Sequence, residues 1–206
     1  MNKTNETVIF DVFYRENPSG SGYAICAGLE QVIEYINALS FSDEDIAYLR
    51  SLNIFQESFL SYLKDFRFTG DIYAIPEGTV VFPMEPLVKV IAPIMEAQLI
   101  ETALLNIINH QSLIATKASR VVYAAGGQPV MEFGLRRAQG PDAGTLGARA
   151  AVIGGCIGTS NVLSATPART RCIKTAKVSS PYFSSSISAD SSPTFFNILS
   201  IPFSKR

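Results

Sequence analysis

The sequence predicts an α/β chain in which short strands and amphipathic helices alternate along 206 residues. Three observations carry this. The chain opens on an alternating apolar and polar run, helical-period apolar faces follow, and residues 66–94 are β-branched and aromatic, cut every few positions by Gly or Pro. A hydrophobic content of 47% is ample for a buried core.

Taken in order, "TVIFDVFYR" (residues 7–15) has the alternation of a half-buried strand, and "NPSGSG" (17–22) is turn chemistry. In "LEQVIEYINAL" (29–39) the residues Leu29, Val32, Ile33, Ile36 and Leu39 share one helical face. Ser42 followed by Asp45 resembles a capping box and predicts a second helix over "DEDIAYLRSL". The stretch "FTGDIYAIPEGTVVFPMEPLVKVIAPI" reads as a compact β unit of short strands and tight turns. Residues 94–125 return to a helical pattern that Pro93 is placed to begin and Gly126-Gly127 to end. An unbroken helix of that length is unusual, so the polar "NHQS" (109–112) is expected to divide it in two.

"PVMEFGL" (129–135) reads as a further strand, and "ARAAVIGG" (148–155) is ambiguous between helix and strand. Nine of the 14 glycines fall between Gly126 and Gly158, and none follows. From Thr166 onward ten serines and four prolines in 41 residues, without clear periodicity, predict low order. Three regions result: residues 1–125, residues 126–165, and a Ser/Pro-rich basic tail over 166–206.

Charge divides the chain in the same way. Residues 1–165 hold 11 Lys+Arg against 17 Asp+Glu, whereas residues 166–206 hold six against one. The tail cations Arg169, Arg171, Lys174 and Lys177 lack interleaved aromatic residues and the body is acidic, which argues against nucleic-acid binding. Cys26, Cys156 and Cys172 show no CxxC spacing, so neither a zinc ribbon nor a disulfide framework is suggested. No secretory leader and no run of about 18 apolar residues is present, so the expectation is a soluble cytoplasmic protein without a membrane span.

Chemistry concentrates in "EFGLRRAQGPDAG" (132–144) and "GGCIGTSN" (154–161). On a strand, Arg136 and Arg137 would face opposite sides, with Arg136 on the side of Glu132. An arginine fork suits carboxylate or phosphate, and Gln139 and Asp142 offer polar contacts from a defined turn. An ion-paired surface position remains the commoner fate of such an arginine. The second stretch is either a phosphate cradle, built from backbone N–H groups with the Thr159 and Ser160 hydroxyls, or a tight turn. Neither GxGxxG nor a Walker-type Gly-Lys-Ser/Thr occurs. His110 is the single histidine, which excludes a histidine metal cluster; within a helical pattern it is read as a structural, hydrogen-bonded residue.

Four blocks, "YAICAGLEQVIEYI", "YLKDFRFTGDIYAIPEGTVVFPMEPLVKV", "EAQLIETALLNIINHQSLIATKASRV" and "EFGLRRAQGPDAG...ARAAVIGGCIGTSNVL", agree in order and spacing with one family. From about Val8 to about Leu163 the chain resembles nicotinate phosphoribosyltransferases. The resemblance implies a truncated type II phosphoribosyltransferase fold: an N-terminal α+β region with helices and a β-sandwich, then the start of an irregular α/β barrel. It implies synthesis of nicotinate mononucleotide from nicotinate and phosphoribosyl pyrophosphate in NAD salvage, with Mg²⁺, with ATP hydrolysis, and with a homodimer. Arg136 is implied to lie in the substrate pocket. Arg137, Gln139, Thr159, Ser160 and Asn161 are implied to line or support the same barrel mouth.

The departures shape a further expectation. The resemblance places a phosphorylated histidine in a later Gly-Thr-x-x-His segment, yet "NVL" here runs into "SATPARTRCIKTAKVSS", so the catalytic histidine is expected to be absent and His110 does not replace it. The family's opening segment, with an aromatic residue near nicotinate, is likewise expected to be missing before Val8. The chain is accordingly expected to turn over little or nothing, or to associate with a full-length enzyme as a non-catalytic fragment.

Overall fold

The computed structural model describes residues 6–164 and 199–201, and the account below concerns those residues. Strands β1 (Thr7–Val12), β3 (Asp71–Ala74) and β5 (Val88–Pro93) form an antiparallel sheet, with β8 (Leu199–Ile201) at its far edge in the order β1-β5-β3-β8. A separate ribbon pairs β2 (Ala24–Ile25) with β4 (Val80–Val81).

Alternation fixes which sheet face is buried. Val12, Val88, Val90, Ala92, Ile72 and Ala74 point inward and are buried, and the register sets Phe10 opposite Val90 and Val90 opposite Ile72. Onto this face pack α1 (Leu29–Ala38), through Leu29, Val32 and Ile36, and α4 (Ile94–Ala124), through Ala97, Ile100, Leu104 and Ile108. The apolar spacing of α1 noted above is therefore its core stripe. Gly28 sits at φ 109° before α1, and a Cβ there would stand 2.9 Å from the Ile107 carbonyl oxygen, so glycine permits the close approach of α1 to α4.

A satellite pair, α2 (Asp43–Ser51) and α3 (Glu57–Lys64), encloses Ile46, Leu60 and Leu63. The capping box at Ser42 and Asp45 is present in full: the Ser42 hydroxyl accepts from Asp45 N–H at 3.1 Å, and Asp45 accepts from Ser42 N–H at 2.8 Å. Helix α3 was not anticipated; its signal is the trio Phe59, Leu60 and Leu63 over barely two turns.

The expected division of the 94–125 helix is corrected. Helix α4 is continuous over 31 residues, roughly 46 Å at 1.5 Å per residue. The polar residues in its middle do not break it because lateral partners use them. Ser112 Oγ accepts from Ala27 N–H at 2.9 Å and donates to the Ala27 carbonyl at 3.0 Å, while Thr116 Oγ1 accepts from Ile25 N–H at 2.8 Å. Ser119 Oγ meets the Tyr23 hydroxyl at 3.0 Å. A ladder of hydroxyls thus pins residues 23–27 along the helix, and Gln111 and Ser112 are fully buried.

Beyond α4 the chain forms β6 (Met131–Glu132), a single 3₁₀ turn at Leu135–Arg137, α5 (Pro141–Ile153) and β7 (Gly158–Thr159), with β6 and β7 parallel. Two expectations change here. The strand over 129–135 shrinks to two residues, so the arginines do not alternate across a sheet, and "GPDAG" is the start of a helix with Pro141 in its first turn. Of "ARAAVIGG", residues 148–153 are the second half of α5, and Gly154 and Gly155 form the turn that follows. Helix α5 lies against the C-terminal half of α4 through Ala115, Ala118, Ala150 and Ala151, whose small side chains let the backbones approach. Within the expected low-order tail 166–206, Leu199–Ile201 form β8; the remainder of that expectation lies outside the described residues.

Candidate functional site

The segment 132–148 and helix α4 enclose a groove of about 710 Å³. From α4 it receives Asn106 and His110; from the other wall, Glu132, Arg137, Gln139 and Asp142. His110 is half-buried, with Nε2 3.4 Å from the Ala143 carbonyl oxygen. Asp142 and Ala143, in the first turn of α5 where helix N–H groups lack intrahelical partners, line the same groove as Arg137.

The residues singled out from sequence divide in two. Arg137 and Gln139 line the groove; Arg136, next to them on the 3₁₀ turn and exposed as they are, is not among the lining residues. A 3₁₀ turn spaces successive side chains by about 120°, which separates the two arginines as surely as a strand would but by a different rotation. Thr159, Ser160 and Asn161 instead build the wall behind the groove. Glu132 accepts from the Thr159 hydroxyl at 2.6 Å and from the Gly134 N–H, and its carbonyl accepts from Ser160 N–H at 3.0 Å, which locks β6 to β7. Asn161 is buried and its Oδ1 accepts from Leu163 N–H at 3.1 Å and Ser164 N–H at 3.3 Å. The glycine pair before β7 has a packing reason: a Cβ on Gly154 would strike the Ala115 carbonyl of α4, and Gly155 turns the chain at φ 105°.

A second constellation was missed from sequence. Arg149, 6% exposed, sits at the meeting point of α1, α4, α5 and the loop after β3. It grips Glu77 with two nitrogens, at 2.9 and 2.6 Å, and Glu30 at 2.7 and 3.1 Å, and donates to Gln111 at 3.2 Å. Glu77 also accepts from Gly28 N–H at 2.5 Å, and Gln111 donates to Gln31 at 2.8 Å. Burial by itself lowers the Arg149 pKa, but the hydrogen bonds and charges of Glu77 and then Glu30 outweigh it, so the guanidinium is held above its ordinary value and stays charged. One signal was available in the sequence: Arg149 is the lone charge in "GARAAVIGG", an apolar small-residue run. Burial and the charge of Glu77 push the Cys26 thiol up to about 12, so it is a protonated core residue.

The sheet-and-helix body joined through α4 to the β6-α5-β7 unit is the architecture of a type II phosphoribosyltransferase. Its backbone matches the human nicotinic acid phosphoribosyltransferase crystal structure with a TM-score of 0.73 at 34% identity, over 79% of this chain and 33% of that one. A nicotinate-nucleotide pyrophosphorylase from Pyrococcus furiosus matches at 0.59 and 30% identity, over 77% and 33%. The profile of the nicotinate phosphoribosyltransferase (NAPRTase) N-terminal domain matches residues 1–109. Nicotinate phosphoribosyltransferases of Mycobacterium tuberculosis and Bacillus subtilis are 52% and 51% identical over 159 and 154 residues, covering 77% and 75% of this chain and 34% and 31% of theirs. The chain belongs to the nicotinate phosphoribosyltransferase family, an enzyme family, and spans about a third of the length of these relatives.

Proposed function

We propose that this chain carries the phosphoribosyl-pyrophosphate side of a nicotinate phosphoribosyltransferase pocket, as a binding portion with little or no turnover of its own. The observation that carries this reading is the groove in which Arg137, Gln139, His110 and the first turn of α5 face one space. In phosphoribosyl transfer the sugar becomes cationic as pyrophosphate departs, and the attacking ring nitrogen of nicotinate needs no base. The protein's task is then to hold anions in a fixed place. Arg137 supplies a planar fork and α5 its N-terminal donors, while Gln139 offers an amide for a sugar or phosphate oxygen.

Mg²⁺ and ATP enter this reading only as what the family implies. Mg²⁺ takes one or two carboxylates together with substrate phosphates, and Asp142 is a carboxylate lining the groove where it would be met.

Titrating phosphoribosyl pyrophosphate into the full chain tests this. Arg137→Ala is expected to weaken binding about tenfold, the loss of one charge-assisted contact, with Arg136→Ala closer to wild type. Equal binding by wild type and Arg137→Ala would remove the groove from the reading. Nicotinate mononucleotide formation with ATP is expected at background; robust turnover would show that the chain is catalytically sufficient.

A second reading, association with a full-length relative or a second copy, is favoured by the apolar surface around β6 and β7, where Phe133, Ile157 and Val162 are 61%, 68% and 82% exposed. Co-elution with a full-length enzyme on size exclusion supports it, and separate elution counts against it.

A further inference from the structure

The outer edge of β3 is occupied from far along the chain. Leu199, Ser200 and Ile201 lie antiparallel to Ala74, Tyr73 and Ile72, respectively. On its other side β3 pairs with β5, and where the strand ends Ile75 N–H donates to the Leu87 carbonyl at 2.9 Å. Backbone groups of successive strand residues alternate in direction, so Tyr73 is directed toward β5 as Ile75 is, and Ile72 and Ala74 present their N–H and C=O groups to the opposite edge. Those two residues are the partners of Ile201 and Leu199. Without β8 they are unpaired donors and acceptors on an edge strand, a template for pairing with another chain.

The surroundings suit an extended apolar segment. On the sheet face away from the core, over β3 and β5, lies a groove of about 430 Å³ lined by Tyr73, Ile75, Pro86, Leu87, Lys89 and Ile91. The segment that supplies β8 is "TFFNILSIPF" (194–203), rich in the residue types that strands favour. Pro193 precedes it, and Pro202 follows Ile201, where strand alternation, as at Ser200, calls for no N–H toward β3.

We propose that the outer edge of β3 is a strand-accepting site, that its occupant is this chain's own Leu199–Ile201, and that the pairing blocks edge-to-edge association between copies. Recognition is by main-chain hydrogen bonds, the mode by which extended peptides add to exposed sheet edges. The bonding parity makes it specific: Leu199 and Ile201 each exchange bonds with β3, while the Ser200 N–H faces away.

Residue-resolved amide exchange on the full chain tests this. The Ile72 and Ala74 amides are expected to be protected in wild type and to exchange about tenfold faster or more in Leu199→Pro and in Ile201→Pro, with Tyr73 unchanged as the internal control for an intact β3–β5 pair. Ser200→Pro is expected to keep most of the protection, because it removes no ladder donor. A peptide of residues 194–203 added to Leu199→Pro is expected to restore protection, and sedimentation of that variant without peptide is expected to show a larger species than wild type. Equal exchange in wild type and Leu199→Pro, or equal loss in Ser200→Pro and its neighbours, overturns the site. Wild-type protection that rises with protein concentration overturns the intramolecular occupant in favour of a second copy, and an unchanged sedimentation of Leu199→Pro overturns the blocking role.

Discussion

The body built on the four-stranded sheet and the unit that follows α4 solve the same problem with different means. The body closes on large aliphatic side chains, with Ile72, Leu87, Val90, Ile100 and Ile108 each 1% exposed. The β6-α5-β7 unit packs through alanine against α4 and leaves Phe133, Ile157 and Val162 outward. Beside these contacts and the partly buried Ile114, Val122, Val130 and Ile153 around them, a polar tie holds the unit: Arg149 reaches from α5 into carboxylates of the body, Glu30 and Glu77. A region with a large aliphatic core tolerates loss of a polar tie; a region held by smaller apolar clusters depends on it more.

The sharpest way to break this comparison is Arg149→Ala. It removes the guanidinium that Glu30 and Glu77 share, and is expected to cost about 3–5 kcal/mol by urea unfolding, with the groove residues of α5 losing amide protection first. A loss below 1 kcal/mol would show that the alanine interface suffices. Next is Ile108→Ala, which opens a cavity in the body and is expected to cost about 3 kcal/mol, with uniform rather than local loss of protection.

A smaller effect follows from Cys26. Its folded pKa is raised to about 12 from 9.0, so the folded state keeps a proton that the unfolded chain releases. Its contribution is fully present below pH 9 and is lost as pH rises toward 12, by about 1.4 kcal/mol per pH unit at the steepest. Cys26→Ala is expected to flatten unfolding free energy across that window; an unchanged slope would place the thiol elsewhere. The smallest expected effect is Ile157→Ser, within about 0.5 kcal/mol of wild type yet more soluble, because the side chain is already 68% exposed.

How far the sequence reached depends on the range of the interactions involved. The α1 stripe, the Ser42 and Asp45 capping box and the resemblance over the four blocks were legible because each rests on residues a few positions apart. The middle of α4 misled, because the polar run 109–112 looks like a break until Ala27, at a sequence separation of 85, takes up the Ser112 hydroxyl. The arginine pair misled in part. A strand was expected, but two residues of β6 and a 3₁₀ turn carry the chain there, and it is Arg137 that enters the groove.

By itself the sequence determined the family and the mixed α/β character, since local periodicity and ordered motifs need no knowledge of what lies across the fold. Tertiary structure alone decided which arginine lines the groove and that Arg149 is buried among carboxylates. It also decided that α4 runs unbroken and that β3 receives a strand from residues 199–201. Each of these depends on a partner brought close by packing, and such a partner leaves no mark in the neighbouring residues of the chain.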